Sequence, residues 1–371
     1  MTAAEPIRAP ASGESTCRVS IIIKALNEER HIAATLQSAL RAAAPIAGEV
    51  VLADSCSTDR TVDLAMRYPV RIVQLAHPDE RCCGVGPQLG YQHSTGEFVY
   101  LMDGDMRLRG GFLEQALAFL RANPEAAGVG GLVVEQNTAS REYAARMERQ
   151  PAHLAAGRVD RLDGGGLYRR TAIEAVGYLS DRNLHSYEEF DLAVRLRALD
   201  WQLWRLPVPA VDHFGHDAPA YRLLMRRWRS RYAWGLGELV RAAVDQPSLR
   251  LVLRGLRELY LYAAVLIWWV VLASVPFWPL PMAFRVGAFC VLAVAPVLLM
   301  AWRKRSFGMG SYSVVSWCVH AAGLVCGMLR SRRPAREAIR SRVLLDRVDA
   351  SLQSPRHAQA EDGARRVYRS C

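Results

Sequence analysis

The chain has 371 residues, 51% of them hydrophobic, and a formal net charge of +11. That length suits one α/β domain of roughly 200–250 residues and leaves a remainder to be explained. Only two lysines occur (Lys24 and Lys304), and the arginines crowd beside one apolar stretch without any nucleic-acid-binding motif, so the charge points to anionic lipid headgroups and away from nucleic acid. Eight cysteines show no CxxC spacing and no secretory leader precedes them, which argues against a zinc site or disulfide framework and for reduced, cytosolic thiols.

Residues 1–16, rich in Ala, Pro, Ser and Gly without periodicity, read as a disordered lead. Residues 17–212 read as an α/β domain. The β-branched run Val19-Ser20-Ile21-Ile22-Ile23 suits a buried parallel strand, and Asn27-Glu28-Glu29 starts a helix on which Ile32, Leu36, Ala39 and Leu40 keep helical spacing. A second strand over 49–53 ends at Asp54-Ser55-Cys56-Ser57-Thr58-Asp59, whose polar residues cap a helix running to about Tyr68. A third strand follows over 70–75. After a glycine-containing loop and a short helix, a fourth strand over 97–102 stops at Asp103-Gly104-Asp105. Alternating strands and helices predict a mostly parallel, Rossmann-like sheet, in which ligands sit outside the carboxyl ends of the strands. The segments 24–28, 54–59 and 103–105 should therefore meet at one crevice. Further strand character lies over 129–134, a glycine-rich turn over 162–167 leads into Tyr168, and 187–200 reads as an amphipathic helix.

From 213 to 258 the chain turns basic, with nine arginines and three acids between Tyr221 and Glu258, a local charge of nine minus three or +6. Helices of this composition lie along membrane surfaces. Residues 259–329 form a membrane segment of two or three helices. The spans 259–277 and 282–302 make a hairpin. Arg285 belongs at its edge, because at mid-bilayer it would cost about 2.5–3.5 kcal/mol. Arginines at both open ends mark those ends as cytoplasmic. The stretch 312–329, about 27 Å long as a helix, is expected to lie in-plane or re-enter, since a third crossing would put the basic residues after it outside. Residues 330–371 read as a basic, solvated cytoplasmic tail.

Two carboxylates one residue apart at a strand end, as in Asp103-Gly104-Asp105, can approach one hard cation such as Mg2+ or Mn2+. With the polar loops before it, this motif resembles a family 2 glycosyltransferase of the GT-A fold. The opening strand with its Asn27-Glu28 turn, the loop Asp54 to Thr61, the acidic pair at 103 and 105, and Glu188-Glu189-Phe190-Asp191 recur in that family's order over roughly residues 18–200. The resemblance implies that Asn27 and Glu28 lie near the nucleoside and that Asp54, with Asp59 in the same loop, meets the base. Asp103 would face ribose and metal, and Asp105 would ligate the metal. Glu189, or else Glu188, would be the base that deprotonates the acceptor, with Asp191 either a donor contact or a helix cap. Gly165 would line the donor-sugar side, and His213, with His216 nearby, would be a third metal or phosphate contact.

Two departures stand out. Lys24-Ala25 replaces the proline that commonly follows the first strand. Arg227 and Trp228 keep half of the Gln-x-x-Arg-Trp motif of processive synthases, with Leu224 in place of its glutamine, so single sugar addition is implied. The resemblance thus implies a metal-dependent, inverting enzyme at the inner or plasma membrane, its catalytic domain cytoplasmic. It would use a nucleotide-diphospho-sugar, UDP first and GDP second, on a lipid-linked or membrane-proximal acceptor in exopolysaccharide or envelope glycan assembly. A polyprenyl-phosphate acceptor and a non-catalytic nucleotide-binding membrane scaffold stand as alternatives.

Overall fold

The computed structural model describes residues 18–137, 152–215 and 219–348; the lead 1–16, His216 and the end of the tail lie outside these. In chain order the catalytic part runs β1 (Val19–Ala25), α1 (Ile32–Ala43), β2 (Gly48–Asp54), α2 (Thr61–Ala65), β3 (Arg71–Leu75), α3 (Val85–Gln92), β4 (Phe98–Asp103), β5 (Met106–Leu108) and α4 (Phe112–Ala122). It continues with β6 (Ala126–Glu135), β7 (Gly157–Val159), β8 (Gly166–Arg169), α5 (Arg170–Val176), α6 (Glu188–Arg197) and β9 (Gln202–His213).

With β10 (Ser341–Asp346) at one edge, the strand order is β10-β3-β2-β1-β4-β8-β6-β9-β5, with β7 beside β9. The half formed by β3, β2, β1 and β4 is parallel. β8 inserts antiparallel between β4 and β6. β1 is central and fully covered, which is why its sequence is a continuous β-branched run and does not alternate. Ile21 and Ile23 face one core with Ile32 and Leu36 of α1 and Phe112 of α4. Ile22 faces the other, with Ile173 of α5 and Leu192 and Leu196 of α6.

The helical remainder comprises α7 (Ala220–Arg229), a 3-10 turn (Tyr232–Trp234), α8 (Gly235–Ala243), α9 (Leu249–Gly255), α10 (Arg257–Ser274), α11 (Met282–Lys304) and α12 (Phe307–Leu329). By length and composition, three helices among the described residues are able to cross a membrane: Arg257–Phe277, Met282–Lys304 and Phe307–Leu329. Arg285 sits beside the α10–α11 turn, its guanidinium donating to the Pro276 carbonyl at 2.6 Å.

Three expectations are corrected. The basic region is not a set of surface helices throughout: α8 is buried, Leu236 and Leu239 packing with Leu184, Phe190 and Leu324. The third apolar helix starts at Phe307, not 312, and has 23 residues, about 34 Å. The basic tail is not solvated from its start, since β10 (Ser341–Asp346) pairs antiparallel with β3 and closes that sheet edge.

Candidate active site

The carboxyl ends of β1, β2 and β4 carry the polar loops together. Asn27 takes a left-handed backbone (φ 59°). Its Oδ1 accepts from the Thr58 amide at 2.8 Å, and its own amide donates to Ser57 Oγ at 2.9 Å, stitching the loop after β1 to the loop after β2. Glu28 extends this seam, its amide donating to Thr61 Oγ1 at 2.7 Å. Asp59 accepts from the Thr61 amide and hydroxyl at 2.9 and 2.6 Å. Burial raises the Asp59 carboxyl, but these bonds and the Glu29 amide outweigh it and leave it below its ordinary value. Asp54 is fully buried, accepting from the Ser57 amide at 3.0 Å and Gln74 Nε2 at 2.9 Å. Its carboxylate thus ties the loop after β2 to β3.

At the end of β4 the chain turns through Gly104, where a Cβ would press within 2.7 Å of Glu28 Cγ. Only glycine lets the two acidic residues flank so tight a turn. Asp103 points toward Lys24, whose ammonium lies 3.0 Å from its Oδ1 and 3.1 Å from Glu188 Oε1. Burial alone pulls the Lys24 ammonium down, but Asp103, Glu188 and Glu189 outweigh it and hold it well above its ordinary value. Asp105 turns the other way. The pairing of Met106 with His213 between β5 and β9 sets the imidazole beside it, with Nε2 at 3.5 Å from Asp105 Oδ2 and Nδ1 at 2.7 Å from Glu135 Oε2. Burial opposes protonation of His213, yet hydrogen bonds and charge from Asp105 and Glu135 raise it to about 9.

Glu188 and Glu189 open α6, and with Lys24, Asp103 and Ser180 they line one small cavity. Burial lifts the Glu189 carboxyl most; Lys24 opposes, Asp163, Glu188 and Asp103 add to it, and the result is about 8. Asp191 is buried and ion-paired at 2.9 Å with Arg195, whose guanidinium also holds the Tyr178 and Leu179 carbonyls. The pair joins α6 to the turn at 178–179. Gly165 (φ 99°) packs where a Cβ would meet the Leu101 carbonyl at 2.7 Å, so it lets the turn approach β4. Arg205, itself buried, pins that turn by donating to the Asp163 carbonyl at 3.0 Å. On α7, the Arg227 guanidinium stacks 5.3 Å over the Tyr232 ring and Trp228 meets Trp234 edge-on, so both are gathered at the helical side.

Sequence reasoning put Lys24 in the crevice with the segment 24–28 but gave it no role, and it overlooked Glu135. Nothing local marks Glu135, which reaches His213 only through the parallel register of β6 with β9.

Among the described residues no three His, Cys, Asp or Glu side chains form a ready-made metal cage. That suits Mg2+ or Mn2+, which take one or two carboxylates and complete their shell with water and substrate phosphates. Asp105 offers hard oxygen donors at the right strand end, and one carboxylate with water and phosphates fits such an ion; Asp103 points away toward Lys24, and His213 beside Asp105 would have to give up its proton to ligate.

The sheet is mixed, not mostly parallel as expected, but its parallel half bears paired carboxylates at the strand ends and an acid-led helix closes the crevice, the form of a GT-A glycosyltransferase. Residues 20–177 match the model of glycosyl transferase family 2, so the chain carries a glycosyltransferase domain of that kind. Among solved structures, the mannosyltransferase PcManGT from Pyrobaculum calidifontis, in complex with GDP-Man and Mn2+, shares 21% identity over 82% of this chain and 87% of its own, with a TM-score of 0.53. S. aureus TarS is 17% identical over 61% of this chain with a TM-score of 0.44, and this chain spans 43% of the length of that structure. The TarS 1–349 complex with UDP-GlcNAc is 16% identical over 84% of this chain and 92% of its own, at a TM-score of 0.46. No curated protein matches.

Proposed function

We propose that the protein transfers one sugar, with inversion, from a nucleotide-diphospho-sugar to a hydroxyl of a lipid-linked or membrane-proximal acceptor at the cytoplasmic face of the membrane. Exopolysaccharide or envelope glycan assembly is the fitting process. The observation that carries this is one crevice lined by Lys24, Asp103, Glu188 and Glu189, in a chain that also carries helices apolar enough for a bilayer.

Asn27 and Glu28 line the nucleoside side. Asp105 would hold the divalent ion, Mg2+ or Mn2+, which when bound neutralises charge on the leaving diphosphate. Glu189 takes the acceptor proton as its oxygen attacks the anomeric carbon and the bond to the diphosphate breaks. A carboxylate raised toward neutrality is a stronger base while still partly ionised. Lys24 holds Glu188 and Asp103 in place beside it. UDP is the first choice of nucleotide, and GDP, bound by the Pyrobaculum enzyme of the same fold, the second.

The test is thermal stabilisation of the detergent-purified chain by UDP-, GDP- and dTDP-sugars with and without Mn2+. A ligand at a hundred times its Kd adds about 2.7 kcal/mol. A metal-dependent shift with one nucleotide sugar, lost in Asp105→Ala, supports the reading. A folded protein that no donor stabilises refutes it and favours a scaffold.

A further inference from the structure

The chain leaves the catalytic domain at Leu256 and comes back to it at β10. There Ser341 stands opposite Leu75 and Val343 opposite Val73 in an antiparallel ladder with β3. The returning segment is bound down along its length. Arg330 reaches Glu238 at 2.8 Å, Arg332 pairs with Asp181, and the Arg333 carbonyl accepts from Asn183 Nδ2 at 2.9 Å. A strand hydrogen-bonded into the catalytic sheet lies on the catalytic side of any bilayer. A chain that departs from and returns to one side crosses an even number of times, so the three apolar helices do not all cross.

The odd one is α12. A Cβ on Gly323 would collide with the Ala233 carbonyl, one on Gly327 with that of Trp234, and one on Gly237 of α8 with that of Leu324. α8 belongs to the catalytic side, its Glu238 accepting from the His185 amide at 2.9 Å. With its last turns held there, α12 keeps only 307–322 for a crossing, about 24 Å of helix against about 30 Å of hydrocarbon. The face away from these glycines presents Phe307, Val325 and Leu329 outward. The Trp268 indole donates to the Leu292 carbonyl at 3.0 Å, joining α10 to α11, and α12 rests against both, Gly310 close on the Ala301 backbone and His320 stacked on Tyr262 at 5.6 Å. Basic residues flank both open ends of the pair, at 250–257 and 303–305.

We infer that α10 and α11 form the crossing hairpin while α12 lies along the leaflet facing the catalytic domain, its outer strip set among lipid acyl chains. This rests on the reading that these helices enter a membrane. The in-plane helix covers the turn at Tyr232, whose carbonyl accepts from Ser186 Oγ at 2.8 Å, two residues before Glu188. It therefore fixes the acid pair at the level of the lipid headgroups.

Single cysteines Glu125→Cys on the catalytic surface, Leu280→Cys in the α10–α11 turn, Ser306→Cys and Glu337→Cys are placed in the full chain. They are probed with a membrane-impermeant maleimide in intact and permeabilised cells against the wild-type background. Position 280 is expected on one side and the other three together on the opposite side. Position 306 or 337 grouping with 280 overturns the inference. All four on one side, with the chain released by alkaline carbonate, overturns the membrane reading as well, and the nucleotide-sugar stabilisation remains a separate measurement. Trypsin on sealed vesicles of the wild-type chain reads the same parity without substitutions: the arginines at 303–305 and 330–342 should be cut only from the face where the catalytic domain is cut.

Discussion

The ammonium of Lys24 lies 3.1 Å from Oε1 of Glu188, joining the end of β1 to the start of α6 across 164 residues of sequence. The positive charge also acts on Glu189, whose carboxyl it draws downward against burial. Lys24→Met should therefore raise the Glu189 carboxyl further. The acid limb of the kcat/KM profile would move to higher pH, with a lower rate at neutrality, and Lys24→Arg would restore the wild-type limb. An unchanged profile in Lys24→Met would show that the lysine only packs.

Glu189 gives a sharper expectation. Because its carboxyl titrates near 8 in the folded protein, kcat/KM should climb with pH and level off above that value. Glu189→Gln should lower turnover by about 10²–10⁴-fold while donor-induced thermal stabilisation persists. A phosphate acceptor is already ionised, so substantial activity in Glu189→Gln would favour the polyprenyl-phosphate alternative. Stability follows the opposite sign. A carboxyl raised from its ordinary value of 4.5 to about 8 binds its proton more tightly folded than unfolded, so the wild type loses stability as pH rises between those values. The glutamine variant lacks that loss. Its Tm should match wild type below the lower value and exceed it increasingly up to the upper one.

The parallel half of the sheet was legible because a strand buried on both faces must be written as an unbroken apolar run, and each such run here ends in a polar cluster. Asp103, Asp105, Glu188 and Glu189 could be placed from strand ends and helix starts alone. Asp54 and Asp191 could not be sorted from them, since a carboxylate that braces a loop or a helix and one that meets a ligand look alike in sequence, and their partners Gln74 and Arg195 come beside them only in the fold. The return of the tail was illegible for a different reason. Residues 341–346 have ordinary composition, and what makes them a strand is the open edge of β3, formed far earlier in the chain.

That return depends on a buried charge. Asp181 is fully buried, and its carboxylate accepts from the Asn183 amide at 2.9 Å while facing Arg332. Removing one partner of such a pair strands the other in a poor solvent, at a cost of about 3–5 kcal/mol. Asn183 continues to solvate the carboxylate, so Arg332→Leu should fall near the lower end of that range. Asp181→Asn combined with Arg332→Leu should recover part of the loss, measured by thermal denaturation in detergent. Equal destabilisation in the single and double variants would mean that the pair is not what holds the strap.

Glycines offer a contrast between two helices of similar composition. At Gly237 a Cβ would meet the Leu324 carbonyl and come within 2.8 Å of the Met328 amide, backbone atoms that cannot move aside singly, whereas at Gly287 in α11 it would meet nothing within 4 Å. Gly237→Ala should force α8 and α12 apart and cost about 1–3 kcal/mol or more, while Gly287→Ala should leave Tm unchanged. The separation would also loosen the strap that follows α12, so trypsin should cut after Arg330 or Arg333 sooner in Gly237→Ala than in wild type. Equal cleavage in both variants would mean that α12 is held by lipid alone and not by its seat on α8.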